Sequence, residues 1–206
     1  MLDIGNGVLL EKVDKFCYLV DTLDADGGCD SAVTARVRSD WKTFCEYLPI
    51  LTGKGFSLKL KGKVYATCVR SCLMHGSETW PMKIEHELKL NRTEMSMIRW
   101  KCGVKLNERK KSEELRELLG LEPVSFMIKK SRLRWFGHVE RKDDNDWIKR
   151  CITWEAEGIR QRGRPKKTWW DCVKNDMESL GLSQKDAQFR NKWRRRIKWQ
   201  LSNPGS

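Results

Sequence analysis

The stretch Pro123-Val-Ser-Phe-Met-Ile-Lys-Lys-Ser-Arg-Leu-Arg-Trp-Phe-Gly-His-Val139 predicts an amphipathic helix with a strongly basic side. A proline suits the first turn of a helix, because the amide hydrogen that it lacks would have no partner inside the helix. The apolar residues at helical spacing are Phe126 or Met127, Leu133, Phe136 and Val139. The cations that project elsewhere are Lys129, Lys130, Arg132 and Arg134. We expect the apolar side to face a core and the cations to face a partner.

Helical periodicity extends from this stretch along most of the chain, in segments that end at glycine or proline. Helices are predicted at about 31–49, 57–73, 83–102, 112–119 and 123–139, in a short segment around Trp147, and in two segments that begin near Pro165 and Ser183. The run 16–20 is β-prone, and turn residues follow at 24–28. The predicted fold class is therefore mainly α, with a short N-terminal β strand or hairpin. We divide the chain into 1–30 (strand and turn), 31–80, 81–142 and 143–206.

The charge is strongly positive and unevenly distributed. The chain of 206 residues has a formal net charge of +13, but its first 50 residues hold five Lys or Arg against nine Asp or Glu. Nucleic acid is the commonest partner of such a basic surface, and acidic membrane lipid is the competing one. No apolar run approaches the roughly 18 residues of a membrane span, and the N-terminus lacks the features of a signal peptide. We expect an intracellular protein, nuclear or cytoplasmic, without a membrane partner.

The segment Gly158–Trp170 concentrates cations around a Gly-Arg-Pro turn. Its candidate contact residues are Arg160, Arg162, Gly163, Arg164, Pro165, Lys166 and Lys167. Such a slim, extended segment can lie along phosphates or enter a narrow minor groove, and a solvated basic loop is the alternative. Pro165 is expected to begin the helix that carries Trp169. A further set of cations, Arg194, Arg195 and Arg196, lies in the last predicted helix.

The ten tryptophans and eight cysteines are interpreted mainly as core residues. Stacking on bases is the alternative for the tryptophans, several of which stand beside arginines; we favour packing for Trp41, Trp135, Trp169 and Trp193. The cysteines are scattered and are expected to be reduced. The nearest zinc candidate, Cys68, Cys72 and His75, has no fourth ligand, so no metal site is predicted.

No complete active site is recognisable. The acidic run Asp143-Asp144-Asn145-Asp146 reads as a solvated loop, because no second acidic pair accompanies it as two-metal chemistry requires. His138 lacks a nucleophile and an orienting carboxylate around it. The chain has no phosphate-binding glycine loop and no dinucleotide fingerprint. We therefore predict no catalytic residues and no cofactor.

Four blocks together resemble the C-terminal portion of LINE-type (non-LTR) retrotransposon reverse transcriptases. They are Phe16-Cys-Tyr-Leu-Val20, Leu73-Met-His-Gly-Ser-Glu-Thr-Trp80, Arg132-Leu-Arg-Trp-Phe-Gly-His-Val139 and Arg162-Gly-Arg-Pro-Lys-Lys-Thr-Trp169. Their order and spacing match over nearly the whole chain. The first block usually ends in Gly where this chain has Val20, and the second usually has Tyr where it has His75.

The resemblance implies a primer-grip strand in the first block, a helical thumb at 31–80, and a downstream region that holds template RNA or target DNA. The family's catalytic aspartates belong to a palm that this sequence does not contain, so the resemblance implies Mg²⁺ only for that absent palm and no polymerisation by these residues alone. The expected function is nucleic-acid binding by a reverse-transcriptase fragment, whose partners are template RNA, target DNA or a hybrid. The alternatives are a chromatin or regulatory protein with an AT-hook-like Arg-Gly-Arg-Pro segment, a non-functional relic, or a working part of a larger reverse transcriptase.

Overall fold

The computed structural model is mainly α, as the sequence predicts. The structure describes residues 2–3, 9–11, 13–18, 21–105, 108, 111–153 and 166–202. Two short antiparallel pairs precede the helices: β1 (Leu2–Asp3) with β2 (Leu9–Leu10), and β3 (Lys15–Tyr18) with β4 (Asp21–Asp24). The second pair confirms the predicted hairpin, with Phe16 opposite Leu23. Leu19 and Val20 of the predicted strand lie outside the described residues.

The first long helix, α1 (Asp30–Thr52), continues past the proline at which the sequence predicts its end. A proline inside a helix removes only its own amide donor and disturbs the preceding turn. Pro49 lies one turn from the C-terminus, where its carbonyl accepts the amide of Gly53 at 3.1 Å. The predicted stop at Pro49 is therefore wrong by three residues.

A second helical segment begins where the sequence predicts and contains a π-helical turn. Ser57 accepts the amide of Leu60 at 3.3 Å and caps α2 (Leu58–Val64). The π-helical turn Tyr65–Val69 joins α2 to α3 (Arg70–Met74), and the 3-10 turn Ser77–Thr79 follows. A glycine is required at position 76, because its φ of +79° lies in the left-handed region.

The next two helices, α4 (Ile84–Cys102) and α5 (Ser112–Leu119), both end at left-handed glycines, as predicted. The helical spacing of Ile84, Leu88, Met95 and Ile98 predicts that these four residues form the core face of α4, and this prediction is wrong in the first half of the helix. Ile84 and Leu88 are 75% and 48% exposed, whereas His86 and Leu90 are buried. Helical spacing alone does not decide which of two neighbouring faces of α4 is buried. The packing of α4 on α1 buries the face that contains Leu90.

In the described C-terminal part, three further α-helices accompany α6 (Val124–Glu140), which corresponds to the predicted amphipathic helix. The others are α7 (Trp147–Thr153), α8 (Trp169–Ser179) and α9 (Arg190–Ser202). The predicted start of α8 at Pro165 is wrong. Residues 166–168 are not helical, and Thr168 caps the helix in a reciprocal arrangement with Asp171.

Three apolar clusters form the core. The first lies among α1, the π-helical turn, α4 and α5 and includes Phe44, Tyr65 and Met97. The second joins α1 to the starts of α4 and α6 through Trp80, Leu90 and Val124. The third joins α6, α8 and α9 through Phe136, Val173 and Trp193. Among the helices that the structure describes, α6 alone contributes to both the second and the third cluster, so it connects the two halves of the core.

All eight cysteines are free thiols, but burial is less general than predicted. Cys29 and Cys172 are buried, whereas Cys17, Cys45 and Cys151 are exposed. No helix among the described residues combines the length and apolarity needed to cross a membrane.

Candidate nucleic-acid interface

Arg132, which the sequence predicts as a nucleic-acid contact, is buried in the structure, so that prediction is wrong. It is 2% exposed, and its Nη1 donates to Asp176 Oδ2 on α8 at 2.9 Å. Burial raises the pKa of Asp176, and the nearby charges of Arg132 and Lys129 oppose that shift. A guanidinium enclosed in this way cannot reach a phosphate, so Arg132 holds α6 to α8 instead.

Gly137 allows α9 to approach α6 closely. The indole Nε1 of Trp193 donates to the carbonyl of Leu133 at 2.9 Å, and a β-carbon at position 137 would meet that indole ring closer than 3.0 Å. Trp193 is 1% exposed, which confirms its prediction as a core residue. The Trp-Phe-Gly-His part of the third block therefore contains the glycine on which the position of α9 depends.

This close approach forms a groove of about 550 Å³ beside α6 and α9, which we call the basic groove. Its lining residues are Glu78, Ser131, Arg134, Trp135, His138, Arg141, Lys142, Arg190, Trp193 and Arg194. This lining thus contains four arginines and one lysine but a single carboxylate, that of Glu78. An anionic ligand is the complementary occupant of such a groove.

Two of these cations are held in place by neighbouring groups. Arg141 Nη1 donates to the carbonyl of Ala187 at 2.7 Å, and its pKa is lowered by burial and then by the charge of Arg190. Lys142 pairs with Asp146 at 3.2 Å. Within the described part of the chain, Arg134, Arg190 and Arg194 form no ion pair, and all three are exposed. These three guanidiniums can therefore bind phosphate without first giving up a protein carboxylate.

The structure brings only part of the predicted contact set to this groove. Arg134 and Arg194 line it. Lys129 and Lys130 are about 29% exposed and lie near Asp176 and Glu122, and Lys166 pairs with Asp26 at 3.2 Å. Lys167 and Arg195 are exposed, and Arg196 pairs with Asp186. Arg160, Arg162, Gly163, Arg164 and Pro165 lie outside the described residues.

Sequence reasoning missed several groove residues that helical spacing could have identified. Arg134 and His138 on α6 and Arg141, the residue that follows the helix, stand at positions i, i+4 and i+7, which share one face. On α9, Arg190 and Arg194 stand at i and i+4. That the two basic faces meet was not visible in the sequence, because it depends on the packing of Trp193 over Gly137.

Next to the basic groove lies a larger groove of about 1050 Å³, which we call the aromatic groove. Its lining residues are Thr79, Trp135, Phe136, Val139, Glu140, Trp147, Ile148, Lys149, Cys151, Ile152, Thr168, Trp169, Trp170 and Gln184. Trp135 lines both grooves. Trp147 is 67% exposed, with the guanidinium carbon of Arg150 5.0 Å from the centre of its ring. Trp135 and Trp169, predicted as core residues, are only partly buried.

Blocks that are distant in sequence meet at the 3-10 turn Ser77–Thr79. Trp80 is buried, and its Nε1 donates to Asp21 Oδ2 in β4 at 3.2 Å. Trp169 Nε1 donates to the carbonyl of Glu78 at 2.7 Å. The second block therefore connects the hairpin at one end with the start of α8 at the other.

Among the described residues, Asp30, Glu85 and His86 bring possible metal ligands within 4.8 Å of one another. Cys68, Cys72 and His75, where the sequence predicts no metal site, are not in this group. The ammonium of Lys83 already pairs with both carboxylates, at 3.7 and 3.3 Å. His86 Nδ1 accepts the amide of Lys83 at 3.2 Å, and its Nε2 lies 2.9 Å from Asp30. The three side chains are thus paired with Lys83 or with one another at the start of α4.

Comparison with known proteins gives a transposon-derived relative. An uncharacterized transposon-derived protein of Caenorhabditis elegans is 25% identical over 174 residues, which cover 82% of this chain and 62% of that protein. The chain thus spans about three fifths of the relative's length. No family model and no solved structure matches the chain. The similarity points to a transposon-related origin.

Proposed function

We propose that this chain binds nucleic acid through the basic groove between α6 and α9, and that it derives from the C-terminal region of a LINE-type reverse transcriptase. The observation that carries the proposal is a set of three exposed guanidiniums, Arg134 on α6 and Arg190 and Arg194 on α9, which line the same groove and form no ion pair with any described residue. Planar guanidiniums bind phosphates through two parallel hydrogen bonds. The net charge of +13 adds long-range attraction.

The order of the four blocks supports the proposed origin, and the transposon-derived relative is consistent with it. This part of the proposal has its own test. The coding sequence upstream of Met1 should contain the Tyr/Phe-Ala-Asp-Asp turn of a polymerase palm if the gene retains a complete element. An upstream frame that encodes an unrelated domain would contradict the reverse-transcriptase origin and leave the binding proposal intact.

Binding is tested by titrating the protein into duplex DNA, duplex RNA and an RNA–DNA hybrid at several salt concentrations between about 50 and 200 mM. Fluorescence anisotropy measures the affinity at each concentration. The double substitution Arg134→Gln/Arg194→Gln should weaken binding to duplex DNA. It should also reduce the slope of log affinity against log salt by about 1.8, since each lost phosphate contact contributes about 0.9.

A matched control removes two cations elsewhere. Lys59→Gln/Lys63→Gln changes the net charge equally, but both lysines are exposed on α2, which packs on α5 and α1. We expect a much smaller change in slope from this control. Equal slopes for the two double variants would mean that net charge, not the groove, determines binding, and absence of binding by the unmodified protein would end the proposal.

A further inference from the structure

The aromatic groove shares a wall with the basic groove. Trp135 on α6 lines both, so a strand whose phosphates contact Arg134 or Arg194 passes directly beside the aromatic side chains. In a nucleic-acid strand, a sugar separates each phosphate from its base. Two adjacent grooves, one cationic and one aromatic, can therefore bind the phosphates and the bases of the same strand. Proteins that bind single strands combine a cationic track with aromatic stacking surfaces in this way.

The aromatic groove exposes ring surface that the protein's own packing does not use. Trp147 is two-thirds exposed at the start of α7, although a tryptophan in a helix usually packs in the core. The Arg150 guanidinium lies over one face of its ring at 5.0 Å, so a second planar group would stack on the opposite face. Trp170, also in this wall, is partly buried against the third cluster, with the ring of Phe136 at 5.4 Å and the ammonium of Lys174 at 5.5 Å from its ring centre.

The charge of the aromatic groove fits a base better than a phosphate. Its wall contains one lysine and one glutamate beside five large aromatic residues. Lys149 is already engaged by Asp144 at 2.7 Å, and Glu140 accepts a hydrogen bond from Gln184 at 3.1 Å. A phosphate would find no free cation there among the described residues, whereas a neutral planar base would find both stacking surfaces and polar groups.

We propose that the aromatic groove binds unpaired bases of a strand whose neighbouring phosphates lie in the basic groove. The ligand class is then nucleic acid in which a single-stranded segment adjoins a duplex, rather than a continuous duplex. This inference rests on the proposed function of the basic groove. Bases inside a duplex are already stacked on both faces, so only unpaired ones can occupy the groove.

The test compares three ligands with the same number of phosphates: a blunt duplex, a duplex with a short single-stranded overhang, and the same overhang built from abasic sugars. The unmodified protein should bind the base-bearing overhang about fivefold or more tightly than the abasic one, since stacking of one base contributes at least that factor. Equal affinity for these two ligands would overturn the inference. If binding and its salt dependence persist in that case, the proposed function of the basic groove stands.

Substitutions at Trp147 separate stacking from simple apolar contact. Trp147→Tyr keeps an aromatic face and should keep most of the preference for the base-bearing overhang, whereas Trp147→Leu keeps apolar volume and should lose it. Both variants should retain the affinity of the unmodified protein for the blunt duplex, which also reports that the fold is intact, because Trp147 is largely exposed. A Trp147→Leu variant that retains the full preference would refute stacking on this residue.

Discussion

Replacing Gly137 with alanine should loosen the packing of α9 on α6. The new methyl group would lie closer than 3.0 Å to Nε1 and Cδ1 of Trp193, and that indole is enclosed and hydrogen-bonded to Leu133. Overpacking costs about 1–3 kcal/mol, and weakening the hydrogen bond costs about 0.5–1.5 kcal/mol. Alanine recovers about 0.8–1 kcal/mol of helix propensity. The free energy of unfolding should therefore fall by about 0.5–3.5 kcal/mol.

The measurement is urea or thermal unfolding followed by circular dichroism. For a chain of this size each 1 kcal/mol corresponds to about 2–4 °C in Tm. Gly55→Ala is the matched control, because nothing lies within 4 Å of a β-carbon there and its φ is not positive. It should be neutral or stabilising by up to about 1 kcal/mol. A Gly137→Ala protein as stable as the unmodified one would refute the argument that Trp193 can pack here only against a residue without a side chain.

Two further predictions concern buried charges. Asp40→Asn should raise the free energy of unfolding by about 1–3 kcal/mol at pH 8 and by less at pH 5, measured by urea unfolding at both. Burial, and then the charge of Glu94, raise the pKa of Asp40 from 3.8 to about 8. The contribution of Asp40 to the stability of the folded protein is therefore most favourable below about pH 4, where Asp40 is protonated in both states, and that contribution is lost as the pH rises through about 8. A pH-independent difference would contradict this assignment. Asp176→Ala should lower the free energy of unfolding by about 3–5 kcal/mol, because it leaves the Arg132 guanidinium buried without its partner. The double variant Arg132→Met/Asp176→Leu should recover most of that loss, measured by the urea midpoint. No recovery would show that the unpaired charge is not the cause.

Much of the local structure could be predicted from sequence. Ser57, Gly103 and Gly120 mark helix ends as expected, because caps and left-handed glycines act within one or two turns of the chain. The two errors at helix ends also have local causes, a proline near the end of a helix and a threonine cap. Pro49 is tolerated in the last turn of α1, and α8 begins at a threonine cap rather than at Pro165.

The candidate site was predicted less completely than the fold. Arg134 and Arg194 were chosen because they belong to basic helices, and both line the basic groove. Arg132 was chosen on the same ground and is buried against Asp176, since its direction on α6 depends on where α8 packs. Helical spacing places Arg141 and Arg190 on the faces of Arg134 and Arg194, but nothing in either helix alone shows that these faces meet.

The sequence by itself determined the mainly helical fold, the ends of most helices and the excess of positive charge, because these depend on residues within a few turns of one another or on composition. Only the tertiary structure decided which cations remain exposed and which are neutralised in the core. It also decided that α9 lies across Gly137, so that two basic faces far apart in the chain form one groove. That outcome depends on the enclosure of Trp193 and on a hydrogen bond between residues 60 positions apart, which no local pattern specifies.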